Sequence, residues 1–324
     1  MGGTISTLVF QPPPATFLHN KKHFWLQTRN QHRIPVFHVE RSSQITVLFS
    51  HGNAEDLGLI YEWFYDFSRQ LNVSVAYLFV GGGCDGRSFV APPVPTYCVG
   101  FACPRAAVRA SSRQLAVPDF FSMTHLPLPQ PNPHAQVNVL AYEYSGYGKS
   151  EGAVSEDNCY ADIRAAYDYL TTQKKTPPKQ IVLYGRSLGS GPTCHLAEEL
   201  AADGVELGGV MLQSPLASAF RVAFNFRFTM PGDLFPNIDR VKGVKSPMFI
   251  IHGTRDEVVP FWHGQELFLG TPTKWRAKPF WVDGAGHNNI EALLREDGTL
   301  FERMNDFLDK WVRNDLSADF STAS

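Results

Sequence analysis

Short apolar runs alternate with segments of helical period along most of this chain. Near the start, HFWLQTR (23–29) and IPVFHVE (34–40) alternate apolar and polar positions like two antiparallel strands joined at Asn30-Gln31. The rhythm then becomes strand, turn, helix. QITVLFS (44–50) reads as a buried strand leading to His51-Gly52-Asn53, and EDLGLIYEWFYDFSRQL (55–71) as an amphipathic helix. A strand and turn at VNVLAYEYSGYG (137–148) precede a helix through Tyr160, Ile163, Tyr167 and Leu170. Next come QIVLYG (180–185), a helix through Leu196 and Leu200, GGVMLQSP (208–215), SPMFIIHG (246–253), a helix around 265–268, KPFWVDG (278–284) and a terminal helix over about 289–312. Strands alternating with helices predict an α/β fold, a mostly parallel central sheet with helices on both faces.

One segment breaks the rhythm. Residues 73–136 are rich in proline and glycine, with VGGGCDG, APPVP and LPLPQPNPHAQ, and carry no sustained periodicity. So long a structureless loop is foreign to a compact α/β unit. Removing it joins Leu71-Asn72 to Val137 and runs a helix end straight into a strand. The segment reads as a retained intron, since Val73-Ser74 can be encoded by a donor-like GTAAGT and Gln136 by an acceptor-like CAG. The rival reading is a genuine disordered insertion or lid. The expected organisation is an N-terminal segment at 1–22, a catalytic domain over 23–315 interrupted by this insert, and a tail at 316–324.

Composition narrows the function. With 324 residues and 44% hydrophobic content, the chain can bury a substantial core. Its net charge of -2 argues against nucleic acid as a partner. The longest apolar runs are strand-sized, so no membrane span is expected. Five cysteines without metal or disulfide spacing fit a reducing compartment, with the cytosol as default. The start, Met1-Gly2-Gly3-Thr4-Ile5-Ser6, fits an N-myristoylation pattern at Gly2, with an unmodified free start as the alternative. One such chain anchors weakly, so only weak peripheral membrane association is expected. A basic leader is missing, so a secretory signal is not expected.

The chemistry centres on Gly185-Arg186-Ser187-Leu188-Gly189, a G-x-S-x-G turn after a strand and before a helix. Small neighbours let a strained turn lift the Ser187 hydroxyl into a cleft, as a nucleophile elbow does. Acyl transfer then needs a base and a carboxylate that orients it. The order nucleophile, acid, histidine places Asp256 after one later strand and His287 after another. Glu257 and Asp283 are rival acids. His252 and His263 are poorer bases, the first expected as a strand-end packing residue, and His195 is expected to pack against the sheet. Leu188 and Asn53 are the expected backbone donors to an oxyanion. HExxH, Walker and paired CxxC patterns are missing, so neither a metal nor another cofactor is expected. SPLASAFRVAFNFRFTMPGDLF (214–235) is a candidate apolar cap, in which Phe220, Phe224, Phe226 and Phe228 line an acyl pocket or simply form core.

HGNAEDLG, EYSGYGKSEG, YADIRAAYDYL, YGRSLGSGPT, QSPLASAFRVAF, FPNID, HGTRDEVVPFWHG and GAGHN together resemble the alpha/beta-hydrolase domain-containing protein 17 family, over about residues 38–312 without the insert. The resemblance implies the α/β-hydrolase fold and a serine hydrolase that removes fatty acyl groups from cysteine thioesters of membrane-attached proteins. By motif it carries the triad onto Ser187, Asp256 and His287. Two features depart from the family. Animal members have a palmitoylated N-terminal cysteine cluster where this chain has only the Gly2 pattern, and Glu143 replaces the usual aspartate before SGYG. The other readings are a general carboxylesterase, lipase or serine peptidase on the same triad, and an inactive hydrolase-fold scaffold.

Overall fold

Strict alternation of side chains to opposite faces explains why the apolar runs here are continuous: both faces of the sheet are covered. The computed structural model describes residues 9–16, 22–71, 136–224, 227–228, 230–294 and 298–317. Eight strands form one sheet: β1 (Phe24–Gln27), β2 (Arg33–Val39), β3 (Thr46–Ser50), β4 (Asn138–Tyr142), β5 (Ile181–Arg186), β6 (Gly209–Gln213), β7 (Met248–Gly253) and β8 (Phe280–Val282). Their order is β1-β2-β4-β3-β5-β6-β7-β8. The first two pairings, β1 with β2 and β2 with β4, are antiparallel. From β4 to β8 every pairing is parallel.

Leu48, Leu140, Leu183, Val210 and Ile250 point to one face. There they pack on α2 (Glu156–Asp168) and α3 (Ser190–Ala202) through Ile163, Ala166, Leu196 and Leu200. Their neighbours in sequence, Val47, Phe49, Val139, Val182, Tyr184 and Met211, point to the other. They meet Ile60, Phe64 and Phe67 of α1 (Leu57–Gln70), which lie at helical spacing. The Asp56 carboxylate caps α1 by accepting from Leu59 N. Short helices α4 (Ala219–Phe224) and α5 (Asn237–Arg240) lie between β6 and β7, α4 inside the 214–235 segment expected as a cap and α5 just after it. Then come α6 (Trp262–Gly270), α7 (Ile290–Leu294) and α8 (Thr299–Leu308).

The terminal helix expected over 289–312 is two helices. Gly298 adopts φ 71°, a left-handed conformation that no continuous helix contains, and α8 begins at the next residue. The expected insert at 73–136 lies outside the described residues except for Gln136. Its described flanks meet: Val137 N–H donates to Ser68 O at 3.4 Å, and Leu71 and Val137 are both fully buried. Residues 9–16 of the expected N-terminal segment pack on the sheet domain, with Phe10 buried against Phe235. Gly2 lies outside the described residues.

Strand order places the chemistry. The chain leaves β3 towards β4 on one side, and returns to place β5 on the other side of β3. Loops at the carboxyl ends of β3 and β5 therefore diverge and leave a crevice between them.

Candidate active site

Ser187 follows β5 directly with φ 51°, a left-handed backbone that costs a non-glycine residue about 1–2 kcal/mol. Its surroundings admit no larger neighbours. A Cβ on Gly189 would lie 2.1 Å from the Ser50 carbonyl oxygen, and one on Gly185 would lie 2.6 Å from the Gly189 carbonyl oxygen. Ser190 Oγ donates to Ser187 O at 2.6 Å and accepts from Leu216 N at 3.2 Å, tying the turn to the segment after β6.

The structure brings Ser187, Asp256 and His287 together. His287 Nε2 lies 2.9 Å from Ser187 Oγ, and His287 Nδ1 lies 2.8 Å from Asp256 Oδ2. All three residues are buried. With Nδ1 donating to a carboxylate, Nε2 is left to accept the serine proton. Asp256 divides its oxygens. Oδ1 accepts Val258 N at 3.0 Å and Val259 N at 2.7 Å, fixing the turn, while Oδ2 faces the imidazole. Burial works to raise the Asp256 pKa, but hydrogen bonds from His252 and His287 outweigh it and hold the group well below the usual carboxylate range.

The rival residues have other partners. Glu257 Oε2 accepts the His287 backbone N–H at 3.2 Å, and Asp283 Oδ1 accepts from Thr254 Oγ1 at 3.1 Å. His263 Nδ1 accepts Ala217 N at 3.0 Å, and burial pushes its pKa down to about 3. His195 stacks on Tyr160 of α2 at 3.7 Å, so it packs between helices instead of on the sheet. His252 is more than a packing residue. Its Nε2 lies 2.9 Å from Val259 O and 3.3 Å from Asp256 Oδ2, so Asp256 faces two imidazoles. His252 and Asp256 are four positions apart, but only the bend after β7 turns the one towards the other.

Leu188, directly after Ser187, is buried. Asn53 is held by its side chain: Oδ1 accepts Gln11 N at 2.8 Å and Tyr147 OH at 2.6 Å, and Nδ2 donates to Val9 O at 2.8 Å. The N-terminal segment, through Val9 and Gln11, thus anchors the loop that carries the second expected donor. Beneath that loop, fully buried His51 has Nδ1 at 2.8 Å from Gly52 O and Nε2 at 2.8 Å from Glu143 Oε1. Burial works to lower the His51 pKa, yet Glu143 and the Gly52 carbonyl raise it above the ordinary value. Glu143 Oε2 also accepts Leu57 N at 3.0 Å, so this side chain spans from the end of β4 to the start of α1.

Of the four cap phenylalanines, Phe220 is half-buried and meets Phe224 edge-on at 5.9 Å. Phe224 and Phe228 are 57% and 62% exposed, so they do not line an enclosed pocket, and Phe226 lies outside the described residues. Among the described residues no group of three or more His, Cys, Asp or Glu could hold a metal ion, and no helix is long and apolar enough to cross a membrane.

A family model described as Chlamydia CHLPS protein (DUF818) matches residues 130–205. Alpha/beta hydrolase domain-containing protein 17C of Xenopus tropicalis is 44% identical over 178 residues, 55% of this chain and 54% of that protein. The chain is similar to the alpha/beta hydrolase domain-containing 17 proteins. The human 17C protein is 43% identical over 55% of this chain and 51% of its own length. Protein aho-3 of Caenorhabditis elegans, also an alpha/beta hydrolase domain-containing protein, is 44% identical over 54% of this chain and 50% of its own. The chain spans about half the length of the curated relatives it matches. Among solved structures, the Pyrococcus furiosus esterase Pf2001 superposes with a TM-score of 0.58 at 15% identity, covering 94% of this chain and 100% of that one. The esterase domain of a Rhodothermus marinus protein gives 0.53 at 14% identity, over 90% and 98%. The fold is that of the α/β hydrolases.

Proposed function

We propose that this chain is a serine hydrolase that cleaves fatty acyl thioesters on S-acylated, membrane-attached proteins at the cytoplasmic face of membranes. The observation that carries the reading is the continuous relay from Ser187 Oγ through His287 to Asp256, at 2.9 Å and 2.8 Å. In this reading His287 Nε2 takes the Ser187 proton as Oγ attacks the thioester carbonyl carbon. The tetrahedral oxyanion faces the backbone N–H groups of Leu188 and Asn53. The C–S bond breaks, the leaving thiolate takes the proton from His287, and water then releases the fatty acid from the acyl-serine by the same relay. The thioester class is what the motif resemblance to the 17 family implies, and exposed Phe224 and Phe228 offer apolar contact to an acyl chain.

Labelling with a fluorophosphonate probe, followed by a panel of acyl-thioester, lipid-ester and peptide substrates, tests this. Labelling lost on Ser187→Ala, with acyl thioesters turned over fastest, is the expected result. An unlabelled wild-type chain would leave an inactive scaffold. A preference for lipid esters or peptides would overturn the substrate class.

A further inference from the structure

Arg186, the residue before the candidate nucleophile, reaches three residues on two separate parts of the molecule. Its Nη1 bonds Glu55 Oε1, its Nη2 lies 3.2 Å from Asn288 Oδ1, and its Nε lies 3.5 Å from Glu291 Oε1. Each partner holds something in turn. Glu55 Oε2 accepts the Gly52 backbone N–H at 2.6 Å, next to Asn53. Asn288 adjoins His287. Glu291, on α7, accepts Gln213 Nε2 at 2.6 Å, and Gln213 Oε1 accepts the Tyr184 hydroxyl. The Arg186 side chain is only 12% exposed and its bond to Glu55 is part-buried, where a charge-assisted hydrogen bond is strong; the Glu291 approach is an ion pair without a hydrogen bond, and the Asn288 bond lies at the surface.

We propose that Arg186 is a positioning residue, a clasp that sets the loop after β3 and the loop after β8 at a fixed separation around Ser187. The clasp rests on the hydrolase reading above, in which Asn53 N–H and His287 must both meet one tetrahedral intermediate. These two groups stand on different loops, and the guanidinium is a rigid planar fork that can hold both at set angles. A lysine has one flexible point charge and cannot span them. Two carboxylates share this cation, so its loss would also leave Glu55 and Glu291 to repel each other.

The test compares Arg186→Lys, Arg186→Met and the neutral triple variant Glu55→Gln/Arg186→Met/Glu291→Gln, which removes the clasp without stranding charge and guards against loss of fold. Two quantities are measured: kcat and KM on p-nitrophenyl butyrate, and hydrogen exchange of peptides covering residues 51–57 and 286–294. Misplacement by about 1 Å costs roughly 100-fold in rate. The expected result is a kcat lower by about 10-fold for Arg186→Lys and about 100-fold for the triple variant, with KM within about twofold. Both peptides exchange about tenfold faster in the triple variant, while peptides from β5 and α3 are unchanged. A folded triple variant with wild-type exchange in the two loops overturns the clasp. So does wild-type kcat in that variant. Failure of the wild-type chain to turn over ester or bind fluorophosphonate would instead remove the hydrolase reading, and the exchange measurement would still decide whether Arg186 holds the loops.

Discussion

Replacing Asp256 with asparagine changes one atom and, from the contacts around it, reverses a tautomer. Oδ1 accepts two backbone N–H groups, from Val258 at 3.0 Å and Val259 at 2.7 Å. An asparagine must therefore keep its carbonyl oxygen in that place and turn its NH2 towards His287 Nδ1. His287 then accepts at Nδ1 and carries its proton on Nε2, 2.9 Å from Ser187 Oγ, where it can no longer take the serine proton. The corresponding change in serine proteases lowers kcat by about 10,000-fold, or about 5 kcal/mol in the barrier. Because the two bonds that fix the turn survive, the fold should hold. Steady-state kcat on p-nitrophenyl butyrate and the rate of fluorophosphonate labelling report the loss, and thermal melting checks the fold. A folded Asp256→Asn chain that keeps more than about one tenth of the wild-type kcat would refute the reasoning.

Two further outcomes follow from the same geometry. Burial raises the Asp162 pKa from 3.8 to about 7, against hydrogen bonds from Ser145 that lower it. Between those values the folded chain binds the proton more tightly than the unfolded one, so this group's contribution to stability falls as pH rises and is fully lost above about 7. At 1.36 kcal/mol per unit the loss approaches about 4 kcal/mol. Asp162→Asn should accordingly gain stability over wild type at pH 8 and little at pH 4.5 in urea unfolding, and an equal offset at both would contradict this. Deleting residues 73–136 should give a folded chain that hydrolyses p-nitrophenyl butyrate within about twofold of the full chain. Its flanks already meet at Val137 and Ser68, and a shorter excursion costs less closure entropy. A molten or insoluble product would show that the segment is part of the fold.

The elbow was legible because its causes are local. An apolar run, glycines at 185 and 189, and a following helix dictate a tight turn wherever the chain folds, and the contacts that a Cβ would meet there explain the small residues. The break in the terminal helix also has a local cause, the left-handed Gly298, which the apolar positions spaced on either side of it do not reveal. The partners of His252, expected only as a strand-end packing residue, and of Arg186 are hidden for a different reason. Arg186 finds its partners 131 and 102 residues away, and nothing in the spacing of either residue marks it as more than a strand-end side chain.

Periodicity and turn chemistry, which depend on neighbouring backbone sterics, determined the order of strands and helices and set Ser187, Asp256 and His287 on strand-end loops. Only tertiary structure decided which oxygen of Asp256 faces which imidazole, that His51 is paired beneath the Asn53 loop, and that Ser187 and His287, 100 residues apart, come within 2.9 Å. Distances and protonation states depend on burial and on partners brought from elsewhere in the chain, and these exist only once the sheet has closed.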